Sequence, residues 1–150
     1  GLGASIGAAL ATGKHVVMVT GDGSFAMNMA ELITAVDHHI PVTIVLVNNG
    51  VLGMVRQMQS LFMRQRYSST TLDRRVDYVA LTKATGAEAR RATTPEELDA
   101  ALAWALATDG PALIECPIDK DEFVTPVLQI GASMDELIVN MDDVQARMGR

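Results

Sequence analysis

The sequence is poor in cysteine, in aromatic residues and in long apolar runs, and each shortage excludes a class of protein. Cys116 is the single cysteine, which excludes an intrachain disulfide and a multi-cysteine zinc site and fits a reducing compartment. No apolar run reaches about 18 residues, so we expect no transmembrane helix. Aromatic residues make up 4% of the 150 residues and hydrophobic residues 49%, so we expect a core of Ala, Val, Leu, Ile and Met.

Basic residues are also in short supply. The chain has 12 Lys and Arg against 18 Asp and Glu, which gives a formal net charge of −6 at pH 7. Nucleic acids recruit Lys and Arg to their phosphates, so this balance argues against a nucleic-acid partner. A single diphosphate stays compatible with it, because a metal ion and backbone dipoles neutralise a phosphate locally. We therefore expect a cytoplasmic protein with no nucleic-acid or membrane partner.

Helical and strand-like segments alternate along most of the chain. The predicted helices span 1–12, 25–39, 52–66, 76–85 and 95–108, and the predicted strands span 15–20, 42–47, 88–92 and 112–116. This alternation predicts an α/β fold with a mostly parallel sheet and helices on both faces. From residue 119 the periodicity fades. We therefore predict one domain at 1–118 and an irregular C-terminal tail at 119–150, with one short helical turn at 134–139.

Two helix ends carry clear local signals. Gly13 follows the first helical segment and is a typical C-cap. Thr94, Pro95 and Glu97 have the pattern of an N-cap, a proline in the first position and the glutamate of a capping box. These signals predict a helix end near residue 12 and a helix start near residue 95.

The most informative pattern is Gly21-Asp22-Gly23 followed by Asn48-Asn49, since each group comes directly after a strand-like run. A helical crossover between two such strands makes them parallel, and ligands of parallel sheets bind beyond the carboxyl ends of the strands. Asp22 and Asn49 offer oxygen atoms, which Mg²⁺ or Ca²⁺ prefers as ligands. The glycines and the helix start at Ser24 offer N–H groups to an anion. The pattern therefore predicts a diphosphate that is held through a metal ion.

Other interpretations of these motifs are weaker. Gly-Asp-Gly and Asn-Gly are both ordinary turn sequences when they stand alone. Gly21-x-Gly23-x-x-Ala26 matches a loose Rossmann fingerprint, but that fingerprint expects an acidic residue at the end of the next strand, where Asn48-Asn49 stands. Thr12-Gly13-Lys14-His15 lacks the glycine spacing and the hydroxyl residue of a P-loop.

The spacing from Gly21-Asp22-Gly23 to Asn48-Asn49 resembles the cofactor motif of thiamine diphosphate enzymes. The resemblance implies that Mg²⁺ is bound by Asp22, by Asn49 and by the backbone carbonyl of Val51. It further implies that Gly23 and Ser24 hold the diphosphate. The remaining cofactor contacts that it implies are made by Gly21, Gly53 and Met54.

Further stretches resemble the large catalytic subunit of acetolactate synthase. They are Gly1-Leu2-x-Ala4-x-Ile6-Gly7-Ala8, Glu31-Leu32-x-Thr34-Ala35-Val36, Asn48-Asn49-Gly50-x-Leu52-Gly53-Met54-Val55-Arg56-Gln57, Arg66-Tyr67-Ser68, Pro126-Val127 and Gly131-Ala132-x-x-Asp135-Glu136. The resemblance implies an enzyme that decarboxylates pyruvate and condenses the two-carbon unit with a second 2-oxo acid in branched-chain amino acid biosynthesis. It also implies a homo-oligomer, as a dimer or tetramer, and raises the questions of a regulatory small subunit and of FAD in the full-length protein.

The resemblance also has limits. Met54 and Met58 are expected to line the substrate pocket, but the family has Trp where Met58 stands, which leaves the acceptor acid open. A glyoxylate carboligase, a sulfoacetaldehyde acetyltransferase or a non-catalytic domain with the same fold are the alternatives. The family's catalytic glutamate belongs to a domain with no counterpart in this sequence. We therefore assign no catalytic residue here, interpret the chain as a fragment of a longer polypeptide and expect it to be inactive alone.

Overall fold

The computed structural model describes residues 1–72 and 76–149. The helices are α1 (Leu2–Thr12), α2 (Asp22–Ala26), α3 (Glu31–Asp37), α4 (Gly53–Phe62), α5 (Tyr78–Ala84), α6 (Pro95–Ala107) and α7 (Met141–Met148), with a 3₁₀ turn at Met134–Glu136. The strands are β1 (Val16–Gly21), β2 (Val42–Asn48), β3 (Glu88–Arg91) and β4 (Ala112–Pro117). They form one sheet in the order β1-β2-β4-β3, in which every pair is parallel. The predicted α/β architecture with a parallel sheet is confirmed.

Helices pack on both faces of this sheet, as predicted. Alternate residues of β4 face opposite sides, as the period of a strand requires. Leu113 belongs to a core with residues of α1, α2, α3 and α5. Ile114 belongs to a second core with alanines of α6. Both residues are fully buried, so the apolar run of β4 follows from its position between two helical layers.

Both helix ends with local signals form as predicted. Gly13 has φ of 64°, in the left-handed region that favours glycine, and its N–H donates to the carbonyl of Ala9. The hydroxyl of Thr94 accepts a hydrogen bond from the N–H of Glu97 at 3.2 Å. Each signal depends on residues within one helical turn, which is why the sequence alone reveals it.

The predicted crossover helix at 25–39 is wrong in its extent. The chain forms two short helices, α2 and α3, which are separated by turns at 27–30. In this break the N–H of Asn28 donates to the carbonyl of Phe25 at 3.2 Å, and the N–H of Glu31 donates to the carbonyl of Asn28 at 3.2 Å. These bonds join residues three apart, as in a 3₁₀ turn. Asparagine has a low helix propensity, and its position agrees with the break.

The predicted helix at 52–66 is shorter than expected, because α4 ends at Phe62. Arg64 and Gln65 have φ values of 54° and 56°, a left-handed conformation that an α-helix cannot continue through. The N–H of Gln65 donates to the carbonyl of Gln59 at 3.0 Å, which closes the chain reversal.

The described chain divides into two compact units. The first contains residues 1–49 and 76–118, and therefore the whole sheet, whereas the second contains residues 50–72 and 119–149. The division into a domain at 1–118 and a tail at 119–150 stays a prediction. Among the described residues no helix is long and apolar enough to cross a membrane.

The second unit has its own apolar core. Leu61 of α4 packs there with buried residues of the C-terminal segment, namely Phe123, Val127, Ile138 and Val144. The last of these lies in α7, which the prediction of a single helical turn after residue 119 missed. The side chain of Asn140 caps this helix by accepting from the N–H of Asp143 at 2.9 Å. Asn140 and the acidic residues after it are the signal that identifies such a start.

Two polar residues of α4 hold the C-terminal segment of this unit. The side chain of Gln57 donates to the carbonyl of Val124 at 2.7 Å and accepts from the N–H of Val124 at 3.0 Å. Arg56 donates to the carboxylate of Asp121 at 2.7 Å, and this hydrogen bond raises the pKa of Arg56 above its ordinary value. The guanidinium also lies 4.1 Å from the ring centroid of Tyr67, within cation–π distance.

Replacing Gln57 with Met tests this anchor. Met has a similar length but leaves the N–H and the carbonyl of Val124 without their partner, so we expect a loss of about 1–3 kcal/mol in the free energy of unfolding. Urea unfolding measures this loss, and hydrogen exchange at the Val124 amide locates it. Gln59→Met is the matched control, because Gln59 bonds the backbone of Ser68 in the same two-sided way at an exposed position. An equal loss in both variants would contradict the proposed role of the buried amide.

Thr82 of α5 offers a stabilising substitution. It is fully buried, and its hydroxyl has no hydrogen-bond partner within the part of the chain that the structure describes. Thr82→Val keeps the shape and removes the unpaired hydroxyl, so we expect the free energy of unfolding to rise by about 1 kcal/mol. Thr85→Val is the control with the opposite sign, because the Thr85 hydroxyl donates to the carbonyl of Thr82 at 2.7 Å. Thermal unfolding of both variants measures these changes, and a lower unfolding midpoint for Thr82→Val would contradict the predicted stabilisation.

Candidate cofactor site at the strand ends

The predicted acid and amide meet at one edge of the sheet. Gly21, the last residue of β1, is in register with Val47 of β2, and Asn48 is in register with Pro117 of β4. Asp22 and Asn49 therefore follow adjacent parallel strands at the carboxyl ends of both. Asp22 is only 3% exposed. The prediction that these two residues share the ligand-binding edge agrees with the strand register.

An aromatic pair holds the Gly21-Asp22-Gly23 segment in place. Helix α2 begins at Asp22, and Phe25 of this helix is fully buried. The ring of Tyr78, from α5, packs edge-to-face against Phe25 with 6.0 Å between the ring centroids. The Tyr78 hydroxyl donates to the backbone carbonyl of Asp22 at 3.4 Å. The start of α2 is thus fixed by packing against a helix that comes more than fifty residues later in the chain.

Asn48 is held through both its backbone and its side chain by β4 and the residue that follows it. Its carbonyl accepts from the N–H of Ile118 at 3.0 Å. Its side-chain amide donates to Oε1 of Glu115 at 2.7 Å. The residue before the predicted ligand Asn49 is therefore tied to the neighbouring strand.

Glu115 is a buried carboxylate with a cationic partner. It is 3% exposed, and its Oε2 accepts from Nε and Nη2 of Arg91 at 2.9 Å each. Arg91 also lies 3.5 Å from the carboxylate of Asp77. The hydrogen bond to Glu115 raises the pKa of Arg91 above its ordinary value. The guanidinium compensates part of the cost of burying the carboxylate.

Sequence reasoning missed the residues that support this edge. The sequence pattern predicts Tyr78 in a helix and Arg91 and Glu115 in strands, and it gives none of them a role. Glu115 did carry a signal, because it is a charged residue within the apolar run Ala112-Leu113-Ile114-Glu115-Cys116. A charge in such a run requires a buried partner. The identity of that partner depends on the pairing of β3 with β4.

The other predicted contacts belong to the second unit. Val51 is buried and forms an isolated antiparallel bridge with Thr71, and Gly53 is the first residue of α4. Met54 is 56% exposed, and Met58 is partly buried against the apolar core of that unit. The assignments of these residues, and those of Gly21, Gly23 and Ser24, to cofactor or substrate stay predictions.

The chemistry of the donors suits a hard cation. Among the described residues there is no group of three or more His, Cys, Asp and Glu side chains that could hold a metal ion. The predicted ligands are of another kind, with one carboxylate, one amide oxygen and one backbone carbonyl. Such a set gives Mg²⁺ the oxygen atoms that it prefers and leaves positions for ligand oxygens and water.

Comparison with known proteins identifies the family of the chain. Residues 1–116 match the family model of the thiamine pyrophosphate enzyme C-terminal TPP binding domain. The chain is 43% identical over 139 residues to the acetolactate synthase isozyme 2 large subunit of Escherichia coli, which covers 92% of this chain and 25% of that protein. It is 42% identical over 139 residues to the mitochondrial acetolactate synthase catalytic subunit of Saccharomyces cerevisiae, covering 92% and 20%. The chain thus spans about a quarter or less of these relatives.

A solved structure has the same fold. The thiamine diphosphate-dependent 4-hydroxybenzoylformate decarboxylase of Rhodococcus jostii RHA1 aligns with a TM-score of 0.74 and 32% sequence identity. The alignment covers 79% of this chain and 23% of that one. The family match over residues 1–116 and the parallel sheet agree. The chain belongs to the family of C-terminal thiamine pyrophosphate-binding domains of thiamine pyrophosphate enzymes.

Proposed function

We propose that this chain holds thiamine diphosphate through Mg²⁺ at the carboxyl edge of its sheet. Asp22 and Asn49 would supply the metal with oxygen ligands, and Gly23 and Ser24 would hold the diphosphate. The Val51 carbonyl, which the family resemblance adds as a third ligand, stays part of the proposal. When bound, the cofactor supplies the carbanion chemistry, and the protein positions it and excludes water.

The surroundings of Asp22 support this proposal. Asp22 is 3% exposed and directly follows β1, so its carboxylate lies at the strand end where ligands of parallel sheets bind. Gly21 adds a second observation. A Cβ at this position would lie 3.9 Å from the Val47 carbonyl, an ordinary contact, so the packing of the chain does not itself demand glycine there. Close approach of a ligand to the backbone is a reason for glycine at such a strand end.

We further propose that the complete protein is an acetolactate synthase catalytic subunit. It would decarboxylate pyruvate and condense the two-carbon unit with a second 2-oxo acid, in branched-chain amino acid biosynthesis. The observation that carries this proposal is the 43% identity to the Escherichia coli large subunit over 92% of this chain. The same proposal includes a homodimer or tetramer, a regulatory small subunit, FAD and a cytoplasmic location. For the cytoplasmic location the support is that Cys116 is the single cysteine, which fits a reducing compartment.

A related thiamine diphosphate carboligase or decarboxylase is the second candidate. The likeness to the Rhodococcus jostii decarboxylase favours it, as does Met58 at a position where the acetolactate synthase resemblance leads us to expect Trp. A non-catalytic domain that keeps the fold is a third candidate, and it predicts no metal-dependent cofactor binding.

The cofactor proposal predicts that Asp22→Ala abolishes Mg²⁺-dependent binding of thiamine diphosphate to the full-length protein. Losing a direct metal ligand should weaken binding by more than about 100-fold, the upper range for residues that only support a ligand. Calorimetric titration with excess Mg²⁺, repeated with a chelator, measures the affinity. Asp37→Ala is the control, because Asp37 is an exposed acid at the end of α3. Equal affinities of the two variants would refute the assignment of Asp22.

The activity proposal predicts the products of the full-length enzyme. With pyruvate alone we expect acetolactate, and with added 2-oxobutyrate we expect the corresponding acetohydroxy acid. Mass spectrometry of the products with pyruvate, 2-oxobutyrate or glyoxylate as the acceptor separates the candidates. Condensation with glyoxylate but not with the other two acids would favour the carboligase. Release of an aldehyde without condensation would favour a decarboxylase.

A further inference from the structure

The position of Glu115 is hard to explain by stability alone. The residues before it in β4, from Ala112 to Ile114, are apolar and almost fully buried. An apolar residue at 115 would continue that pattern, whereas a buried carboxylate costs several kcal/mol of desolvation unless its partners repay it. Replacing buried ion pairs by apolar residues is often neutral or stabilising. A charge in the central part of the sheet therefore calls for a role beyond packing.

The two oxygens of Glu115 have different partners. Oε2 accepts hydrogen bonds from Nε and Nη2 of Arg91, in the edge strand β3. Oε1 accepts a hydrogen bond from the side-chain NH₂ of Asn48, in β2. Glu115 is in register with Arg91 on one side and with Leu46 on the other, two residues before Asn48. The guanidinium thus fixes the carboxylate from one side, and the carboxylate reaches Asn48 on the other.

The contact also determines which way the Asn48 amide faces. An ionised carboxylate only accepts hydrogen bonds, so the group of Asn48 that faces Oε1 has to be the NH₂ and not the oxygen. The Asn48 carbonyl is bound at the same time by the N–H of Ile118. The side chain of Asn48 is therefore tied to β4 and its backbone to the residue directly after β4, at the position just before Asn49.

We propose that Arg91 and Glu115 form a positioning pair for the cofactor site. By orienting Asn48, they set the course of the Asn48-Asn49 segment and so the affinity of Asn49 for metal-bound diphosphate. Neither residue touches the cofactor in this proposal, and both act through Asn48. The inference rests on the proposed cofactor function.

The test is a double-mutant cycle on the full-length protein. Glu115→Gln keeps the size and removes the charge that holds Arg91, so we expect binding of thiamine diphosphate with Mg²⁺ to weaken about 10–100-fold, as for residues that orient metal ligands. Asn48→Ala should weaken binding similarly. Because Glu115 acts through Asn48, the double variant should bind no more weakly than Asn48→Ala alone. Losses that multiply would mean independent effects and would overturn the proposal.

A control separates positioning from stability. Ile114→Val removes one buried methylene from the neighbouring residue of β4, which should lower the unfolding midpoint of the cofactor-free protein and leave cofactor affinity unchanged. A lower midpoint for Glu115→Gln with wild-type affinity would show a merely structural role and would overturn the proposal.

A second variant covers failure of Glu115→Gln to fold. Arg91 is 49% exposed in its side chain, and Arg91→Lys keeps a positive charge beside the buried Glu115, so this variant should fold. Lysine lacks the paired Nε and Nη2 donors that fix the Glu115 carboxylate. We expect Arg91→Lys to weaken binding about 10-fold, the lower end for supporting residues. Unchanged affinity would overturn the role of the pair. Wild-type protein that binds no thiamine diphosphate would instead refute the proposed function, so the two failures are distinguishable.

Discussion

The parallel pairing of β1, β2 and β4 is the constraint on which the site depends. Parallel strands end at the same edge of a sheet, so residues that follow two such strands lie near each other although they are far apart in sequence. The register places Asp22 and Asn49 after adjacent strands. The crossover between them sets only their separation along the chain. The crossover breaks into two short helices at 27–30, and β1 and β2 pair in parallel register on either side of it.

Support for this edge comes from β4 and from the edge strand β3. Asn48 is bound by Glu115 and Ile118, and Glu115 in turn is bound by Arg91 of the edge strand β3. Glu115 and Arg91 are charged residues within a largely apolar sheet, and burying a charge carries a desolvation cost. A fold selected for stability alone would fill the interior of β4 with aliphatic side chains. Glu115 and Arg91 are therefore a place in the sheet where the demands of stability and of ligand binding differ.

The second unit shows that residues which identify a family can also serve its folding. Arg56 and Gln57 belong to the run that gives the sequence its resemblance to acetolactate synthases. In the structure they bind Asp121 and the backbone of Val124. Their contribution is thus to order a segment that looks irregular in sequence. Gln57 is 1% exposed and bonds both the N–H and the carbonyl of Val124, which links this segment to α4.

The sequence by itself determined the features that rest on local chemistry. The Gly13 cap, the N-cap at Thr94 and the apolar strands involve residues within one turn or one strand, and the acid and the amide follow from where two strands end. Only the tertiary structure decided the partner of Asn48, which lies 67 residues away. It also decided that residues 119–149 are part of a compact unit and not an irregular tail. Helix α7 had a cap but little apolar periodicity. Its stability comes from Val144 and its neighbours packing with α4, and contacts between distant segments leave no pattern in either segment alone.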